Sequence, residues 1–86
     1  MPYIKQDLRE ELKELTDIID EIAIDNAGEL NYVITKLLIK YEKHKGRSYQ
    51  TYNDAVGALV CCKDEFERRK VAPYEDSKII ENGDVY

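Results

Sequence analysis

The sequence contains one histidine, a residue type that often acts as a general acid or base. His44 lies between Lys43 and Lys45. Two neighbouring cations disfavour the charged form of an imidazole and make it a poor proton shuttle. We therefore predict that His44 is an exposed surface residue and that it is not a general base.

Two cysteines, Cys61 and Cys62, are adjacent in the sequence. Neighbours on a helix point about 100° apart, so a disulfide between them would need a distorted backbone. They form neither a disulfide framework nor a spaced metal pair. We expect two small, buried or half-buried thiols in a reducing compartment.

Carboxylates crowd the first third of the chain, and some of them recur at helical spacing. Glu10, Glu14, Asp17 and Glu21 step by four, three and four residues along one face. A Mg²⁺-dependent nucleotide hydrolase would need carboxylates from two helices that face each other, and the second predicted helix offers no such pair. We predict a solvated face, with no metal, no cofactor and no catalytic residue. A metal-dependent nucleotide hydrolase remains the second alternative.

The length and composition indicate one small helical domain. The 86 residues are 43% hydrophobic and 36% charged, and they include four glycines and two prolines. Such a chain supports one modest core, so residues 1–86 are predicted to form a single domain. The charge is segregated: residues 1–31 hold nine acidic and three basic side chains, and residues 32–72 hold five and nine.

Hydrophobic periodicity places the helices. Apolar residues recur at steps of three and four within 4–23, 27–45 and 52–72, which is typical of amphipathic helices. Asp25 or Asn26 is expected to cap the second helix and Gly46 to end it, and Thr51 is expected to cap the third. Pro73 is expected to stop the third helix and to begin a short fourth one over 73–81. The predicted fold class is all-α, a small bundle of three main helices plus a short C-terminal helix.

The centre of the third helix is apolar on every side, over residues 55–62. A helix that is apolar all round is surrounded by other elements. Small residues at Gly57, Ala58 and Cys61 would let another backbone come close. We therefore predict a homodimer through this helix.

The second and third helices also suit a helix-turn-helix, at about residues 30–62. In that alternative some residues of the turn contact phosphates and others read base edges. The phosphate contacts would be Lys43, Lys45 and Arg47, and the base contacts Gln50, Thr51 and Asn53. Against it, the net charge is −5 and the reading helix has no basic residue before Lys63.

Three stretches, at residues 28–35, 71–75 and 81–86, resemble a family of small uncharacterised proteins from bacteriophages and prokaryotes. The resemblance implies a phage or microbial origin and a cytoplasmic setting, and it brings no known activity with it. Polar and turn residues of these stretches are therefore the candidate partner-binding positions, although each also suits a cap, a turn or the edge of a core. They are Glu29, Asn31, Tyr32, Tyr74, Glu75, Asn82, Asp84 and Tyr86, and the irregular connection between the second and third helices adds Tyr49.

The function that follows is a small, non-enzymatic protein-interaction module, with a phage accessory factor as one form of it. Small size, surplus apolar surface and the lack of a catalytic motif all favour it. A DNA-associated regulator is the first alternative. We expect a cytoplasmic protein without a membrane segment, whose partners are a second copy and an unidentified protein rather than nucleic acid.

Overall fold

A computed structural model describes residues 2–86, and every regular element in that range is helical. The elements are α1 (Gln6–Glu11), α2 (Lys13–Glu21), α3 (Ala27–Lys45), α4 (Tyr49–Phe66), a π-helical turn (Glu67–Val71) and α5 (Ala72–Asn82). The prediction of an all-α fold is confirmed. None of the described helices is long and apolar enough to cross a membrane.

The described chain divides into two compact units, Pro2–Ala55 and Val56–Tyr86. The first holds α1, α2, α3 and the start of α4. The second holds the rest of α4, the π-helical turn, α5 and the C-terminal tail. Each unit is described by itself.

In the first unit, the single helix predicted over 4–23 is present as two segments that meet at Leu12. This residue has φ −97° and ψ 6°, outside the usual helical range. Its N–H lies 3.3 Å from the carbonyl oxygen of Leu8 and 3.2 Å from that of Arg9. Such sharing is typical of a helix that tightens locally, so α1 and α2 form an interrupted helix.

The bounds of α3 agree with the prediction because both of its end signals act as expected. Asn26 caps the N-terminus, where its Oδ1 accepts the N–H of Glu29 at 2.9 Å. At the other end Gly46 has φ +87°, a conformation that costs a side-chain-bearing residue free energy. The N–H of Gly46 donates to the carbonyl of Glu42 at 2.8 Å and satisfies one of the last free carbonyls.

The helix α4 begins earlier than the sequence indicated, and the prediction that Thr51 caps it is wrong. Ser48 is the cap: its Oγ accepts the N–H of Thr51 at 3.1 Å, and its carbonyl accepts the N–H of Tyr52 at 3.2 Å. Thr51 lies in the first turn. The serine three residues before it competes for the same role and wins because it adjoins the break at Gly46.

Pro73 does not separate two helices. The predicted fourth helix is present as α5, but it continues α4 through the π-helical turn, so that helical structure runs from Tyr49 to Asn82. Proline lacks an N–H and its ring clashes with the carbonyl four residues earlier. The wide turn relieves this clash: the N–H of Ala72 donates to the carbonyl of Glu67, five residues back. A π turn is one of the known ways in which a helix absorbs such a defect.

The described chain buries no apolar side chain, and Thr51 alone falls in the buried class, at 6% exposure. Within Pro2–Ala55, α1 and α2 contact each other end to end, but neither packs on α3. Val33, Ile34, Leu38 and Tyr41 of α3 are half-buried. In the second unit the helical run of α4 to α5 has no other helix to pack on. The apolar faces are therefore open in both units.

Candidate interaction surfaces

The start of α3 holds three of the predicted partner-binding residues. Asn26 Nδ2 donates to Glu29 Oε2 at 2.6 Å, and this bond between the side chains supports the cap that Asn26 Oδ1 makes to the Glu29 N–H. Asn31 Oδ1 accepts the Thr35 hydroxyl at 3.1 Å. The Glu29 side chain thus stabilises the start of α3. Asn31 and Tyr32 follow it by two and three residues.

Tyr32 presents its ring to solvent, with 64% of the residue exposed. The Nζ of Lys36 lies 5.8 Å from the ring centroid, within the range of a cation–π contact. Such a pair offers an apolar ring and a positive charge side by side. It suits a partner that carries an apolar group next to a carboxylate.

The turn between α3 and α4 is held by a contact that the sequence analysis missed. The hydroxyl of Tyr52 donates to Glu42 Oε2 at 2.6 Å. These residues are ten apart in the sequence, beyond the three- and four-residue spacings by which helical side chains are paired. A carboxylate at the end of α3 was the only sequence signal for this bond.

The same contact sets the protonation of the phenol. The Glu42 carboxylate, which accepts the hydroxyl hydrogen, raises the pKa of Tyr52 above its ordinary value of 10.0, and Arg47 opposes the shift. The bond needs the neutral phenol as a donor. It is therefore made throughout the neutral pH range.

Glu42, Tyr52, Lys43, Gly46 and Arg47 line an open groove at this turn. Two cations thus stand around one groove, which is the arrangement that the helix-turn-helix alternative requires for phosphate contacts. The predicted base-reading residues fit less well.

Two of those residues are engaged inside the chain. Thr51 is buried, and its Oγ1 accepts the Ser48 hydroxyl at 3.0 Å. Gln50 Nε2 donates to Asp54 Oδ1 at 2.7 Å. Tyr49, the partner-binding candidate predicted in the irregular connection, is instead the first residue of α4, because the helix begins early at the Ser48 cap. It is 83% exposed.

The C-terminal unit brings four of its five predicted residues together. Glu75, Asn82, Asp84 and Tyr86 line one groove, along with Lys78, Ile79, Gly83 and Val85. Gly83 ends α5 with φ +90°, a conformation that favours glycine. The Asp84 carboxylate accepts the N–H of Tyr86 at 2.9 Å and shapes the turn that follows.

The fifth residue, Tyr74, directly precedes Glu75 in α5 but does not line this groove. The Nζ of Lys78 lies 5.4 Å from its ring centroid, and its carbonyl accepts the Ser77 hydroxyl at 2.6 Å. Lys78 therefore contacts the ring of Tyr74 and also lines the groove, where its Nζ lies 2.9 Å from Glu81 Oε2. Val85 and Tyr86 at the other end are almost fully exposed.

The predicted dimer face of α4 is open in the second unit. A Cβ built on Gly57 would meet no atom within 4 Å. The prediction that the two thiols are buried or half-buried is wrong: Cys61 and Cys62 are free and exposed, because no described element covers this part of α4. Ala58 is exposed as well. Nothing in this unit occupies the space beside Gly57.

The carboxylates of α1 and α2 do not form a metal centre. In the part of the chain that the structure describes, no three His, Cys, Asp or Glu side chains are placed to hold a metal ion. One carboxylate of the predicted row, Asp17, pairs with Lys13 at 2.8 Å. The hydrolase alternative gains no support from this geometry.

These features define a class of protein: a small all-α chain with exposed apolar helix faces and capped helix ends. Its sequence matches the model of the family described as "Domain of unknown function (DUF6899)" over residues 1–85, and the chain belongs to that family. This confirms the resemblance to an uncharacterised family. No curated protein and no solved structure matches the chain.

Proposed function

We propose that this protein is a small, non-enzymatic module that binds other protein chains through apolar helix faces. The observation that supports it is the lack of any buried apolar side chain in residues 2–86. Apolar burial is the dominant favourable term in folding and association. Contiguous apolar surface that a chain leaves open usually marks an interaction site.

The first partner in this proposal is a second copy, bound through α4 around Gly57, Ala58 and Cys61. A glycine inside a helix is less favourable than alanine by roughly 1 kcal/mol. No described residue outside its own turn of helix needs that glycine, since a Cβ there would meet open space. Close approach of another backbone would explain its presence.

The proposal also has a cellular setting, which is the cytoplasm. Two exposed free thiols suit a reducing compartment, because oxidising ones convert such groups to disulfides. A phage accessory factor is one form that such a module takes. In that role the groove of Glu75, Asn82, Asp84 and Tyr86 would bind the unidentified protein partner.

The solution mass tests self-association directly. Size exclusion with light scattering at two protein concentrations is expected to give twice the chain mass of 10.0 kDa at the higher one. A monomer at both concentrations would overturn the proposed dimer. The open faces would then require a different protein.

The adjacent cysteines locate the interface and provide a matched control. Cys62→Ser leaves Cys61 alone, and Cys61→Ser leaves Cys62 alone; the two thiols point about 100° apart. A short thiol-to-thiol cross-linker is expected to join two copies of the first variant efficiently and of the second poorly. The reverse order would place the interface on the side of α4 that carries Cys62.

A DNA-associated regulator is the second candidate, favoured by the convergence of Lys43 and Arg47 on one groove at the turn. Since Thr51 is buried and Gln50 is bonded to Asp54, binding would rest on phosphates rather than on bases. It predicts an affinity for duplex DNA that falls steeply with salt. A fluorescence titration at low salt that shows no binding would remove this candidate.

A further inference from the structure

The interrupted helix α1–α2 carries an apolar stripe with an acidic edge. With an advance of about 100° per residue, its large apolar side chains share one face, and several carboxylates follow one border of that face. The apolar side chains are Leu8, Leu12, Leu15 and Ile19, each more than 40% exposed. The bordering carboxylates are Glu11, Glu14 and Glu21, and none of the ion pairs among the described residues includes them.

The helix α3 carries the complementary surface. Its apolar stripe includes Leu30, Val33, Leu37 and Tyr41, and Leu30 and Leu37 are about half exposed, at 49% and 48%. Lys36, Lys40 and Lys43 recur at steps of four and three, so they lie along the border next to Val33. No ion pair among the described residues includes these lysines.

The two surfaces belong to the same unit, Pro2–Ala55, yet α1–α2 does not pack on α3 there. We propose that the α1–α2 stripe of one copy packs on the α3 stripe of a second copy. The acidic border (Glu11, Glu14 and Glu21) then faces the lysine border (Lys36, Lys40 and Lys43). The inference rests on the proposed function, in which a second copy is the partner.

Charge and symmetry favour this occupant. Residues 6–21 contain seven acidic and two basic side chains, and residues 27–45 contain two acidic and four basic ones. Opposite charges that flank an apolar seam set partner choice and orientation between helices. In a twofold dimer the contact occurs twice, since each copy offers both surfaces.

Zero-length cross-linking tests the contact in the unaltered protein. A carbodiimide joins a carboxylate to an amine only when the two touch. The protein is prepared with ordinary and with heavy nitrogen, the two preparations are mixed and allowed to exchange, and cross-linked peptides are identified by mass spectrometry. Peptides that join the acidic border to the lysine border are expected, and some are expected to combine one ordinary and one heavy half.

The outcomes separate this inference from the proposed function. Cross-links between these borders that never combine the two isotopes would place the contact within one chain and overturn the inference. Absence of any cross-link between them would also overturn it. In both cases a dimer mass by light scattering would leave the proposed function standing, whereas a monomer mass would remove both.

Charge reversal gives a second test. One variant carries Glu11→Lys, Glu14→Lys and Glu21→Lys, and the other carries Lys36→Glu, Lys40→Glu and Lys43→Glu. Each alone is expected to lose the cross-copy links, or the association as a whole. An equal mixture is expected to regain association, because each of its two contacts then joins opposite charges.

A matched control reverses Asp20 instead, as Asp20→Lys, because this residue lies about 100° or more around the helix from Glu14 and Glu21. It is expected to associate as the unaltered protein does. Circular dichroism of each variant shows whether the helices remain. If the mixture fails to regain association while a chain that carries both sets of reversals does, the contact is made within one chain and the inference is wrong.

Discussion

Replacement of Gly57 by alanine has two opposite effects if α4 pairs with a second copy. In the isolated helix the change is favourable, because alanine is the better helix former by about 0.8–1.0 kcal/mol. Outside its own turn of helix, the new Cβ meets no atom of the described residues within 4 Å, so no steric clash with them offsets this gain. For a domain of this size, about 1 kcal/mol corresponds to a rise in Tm of roughly 4–8 °C.

At an interface the same methyl group is unfavourable. An extra carbon in a well-packed contact costs about 1–3 kcal/mol, and a twofold dimer contains the substitution twice. Since 1.4 kcal/mol is a factor of ten in an equilibrium constant, the dissociation constant is expected to rise at least about tenfold. The gain in helix propensity is present in both states and cancels from this ratio.

Thermal melts across a wide range of protein concentration, together with sedimentation equilibrium, measure both effects. In the dilute limit Gly57→Ala is expected to melt above the unaltered protein, and at high concentration its advantage is expected to shrink or reverse. Gly28→Ala is the matched control: its Cβ would lie 3.3 Å from the capping Oδ1 of Asn26, so its effect is local and independent of concentration. A dissociation constant that Gly57→Ala leaves unchanged would refute an interface at this position.

Three further predictions concern the helix ends and the turns. Asn26→Ala removes the acceptor of the Glu29 N–H and is expected to lower the stability of α3 by about 1 kcal/mol, measured by denaturant unfolding. Glu42→Gln is expected to bring the raised pKa of Tyr52 back toward 10.0 in an NMR titration. In the unaltered protein the pair contributes to stability below pH 10.0, and this contribution is lost as the pH rises through the raised pKa of Tyr52. A fall in stability toward acid pH would therefore not come from Tyr52. Pro73→Ala supplies the missing N–H and is expected to convert Glu67–Val71 to α-helix, seen in backbone chemical shifts, with a gain below the roughly 3 kcal/mol of an interior proline; a π turn that survives would show that Pro73 does not set it.

The ends of α3 were predictable because each depends on a few neighbouring residues. Asn26 supplies a cap and Gly46 supplies positive φ, and Asp25, the other expected cap, adjoins Asn26 and would have moved the start of the helix by one residue only. The start of α4 was less certain, since Ser48 and Thr51 are both good caps. Their order along the chain, just after Gly46, decided in favour of Ser48.

The helix through Pro73 could not be foreseen from local rules. A proline ordinarily ends a helix, and Glu75 and Asp76 after it are typical of a new first turn. Both signals are compatible with a helix that widens by one residue instead. That choice depends on the free energy of the whole run from Tyr49 to Asn82, which no short window of sequence contains.

Part of the candidate C-terminal site was predictable. Gly83 predicts a turn at the end of α5, and such a turn brings the polar residues before and after it close to each other. Glu75, Asn82, Asp84 and Tyr86 therefore share a groove. The bond between Glu42 and Tyr52 was not predictable, because it depends on the angle at which the chain leaves Gly46.

The largest difference between the predicted bundle and the structure concerns the surface that covers the apolar stripes. A period of three and four residues shows that a helix face is apolar, but it is the same whether the covering surface belongs to the same chain or to another one. The stripes of α1–α2 and α3 were therefore interpreted as the inside of a bundle. The borders of these stripes carry opposite charges, Glu11, Glu14 and Glu21 on one and Lys36, Lys40 and Lys43 on the other, and opposite charges beside an apolar seam favour contact between the two surfaces. Apolar periodicity thus identifies the faces, and the cross-links between ordinary and heavy copies decide the proposal that these faces meet across two chains.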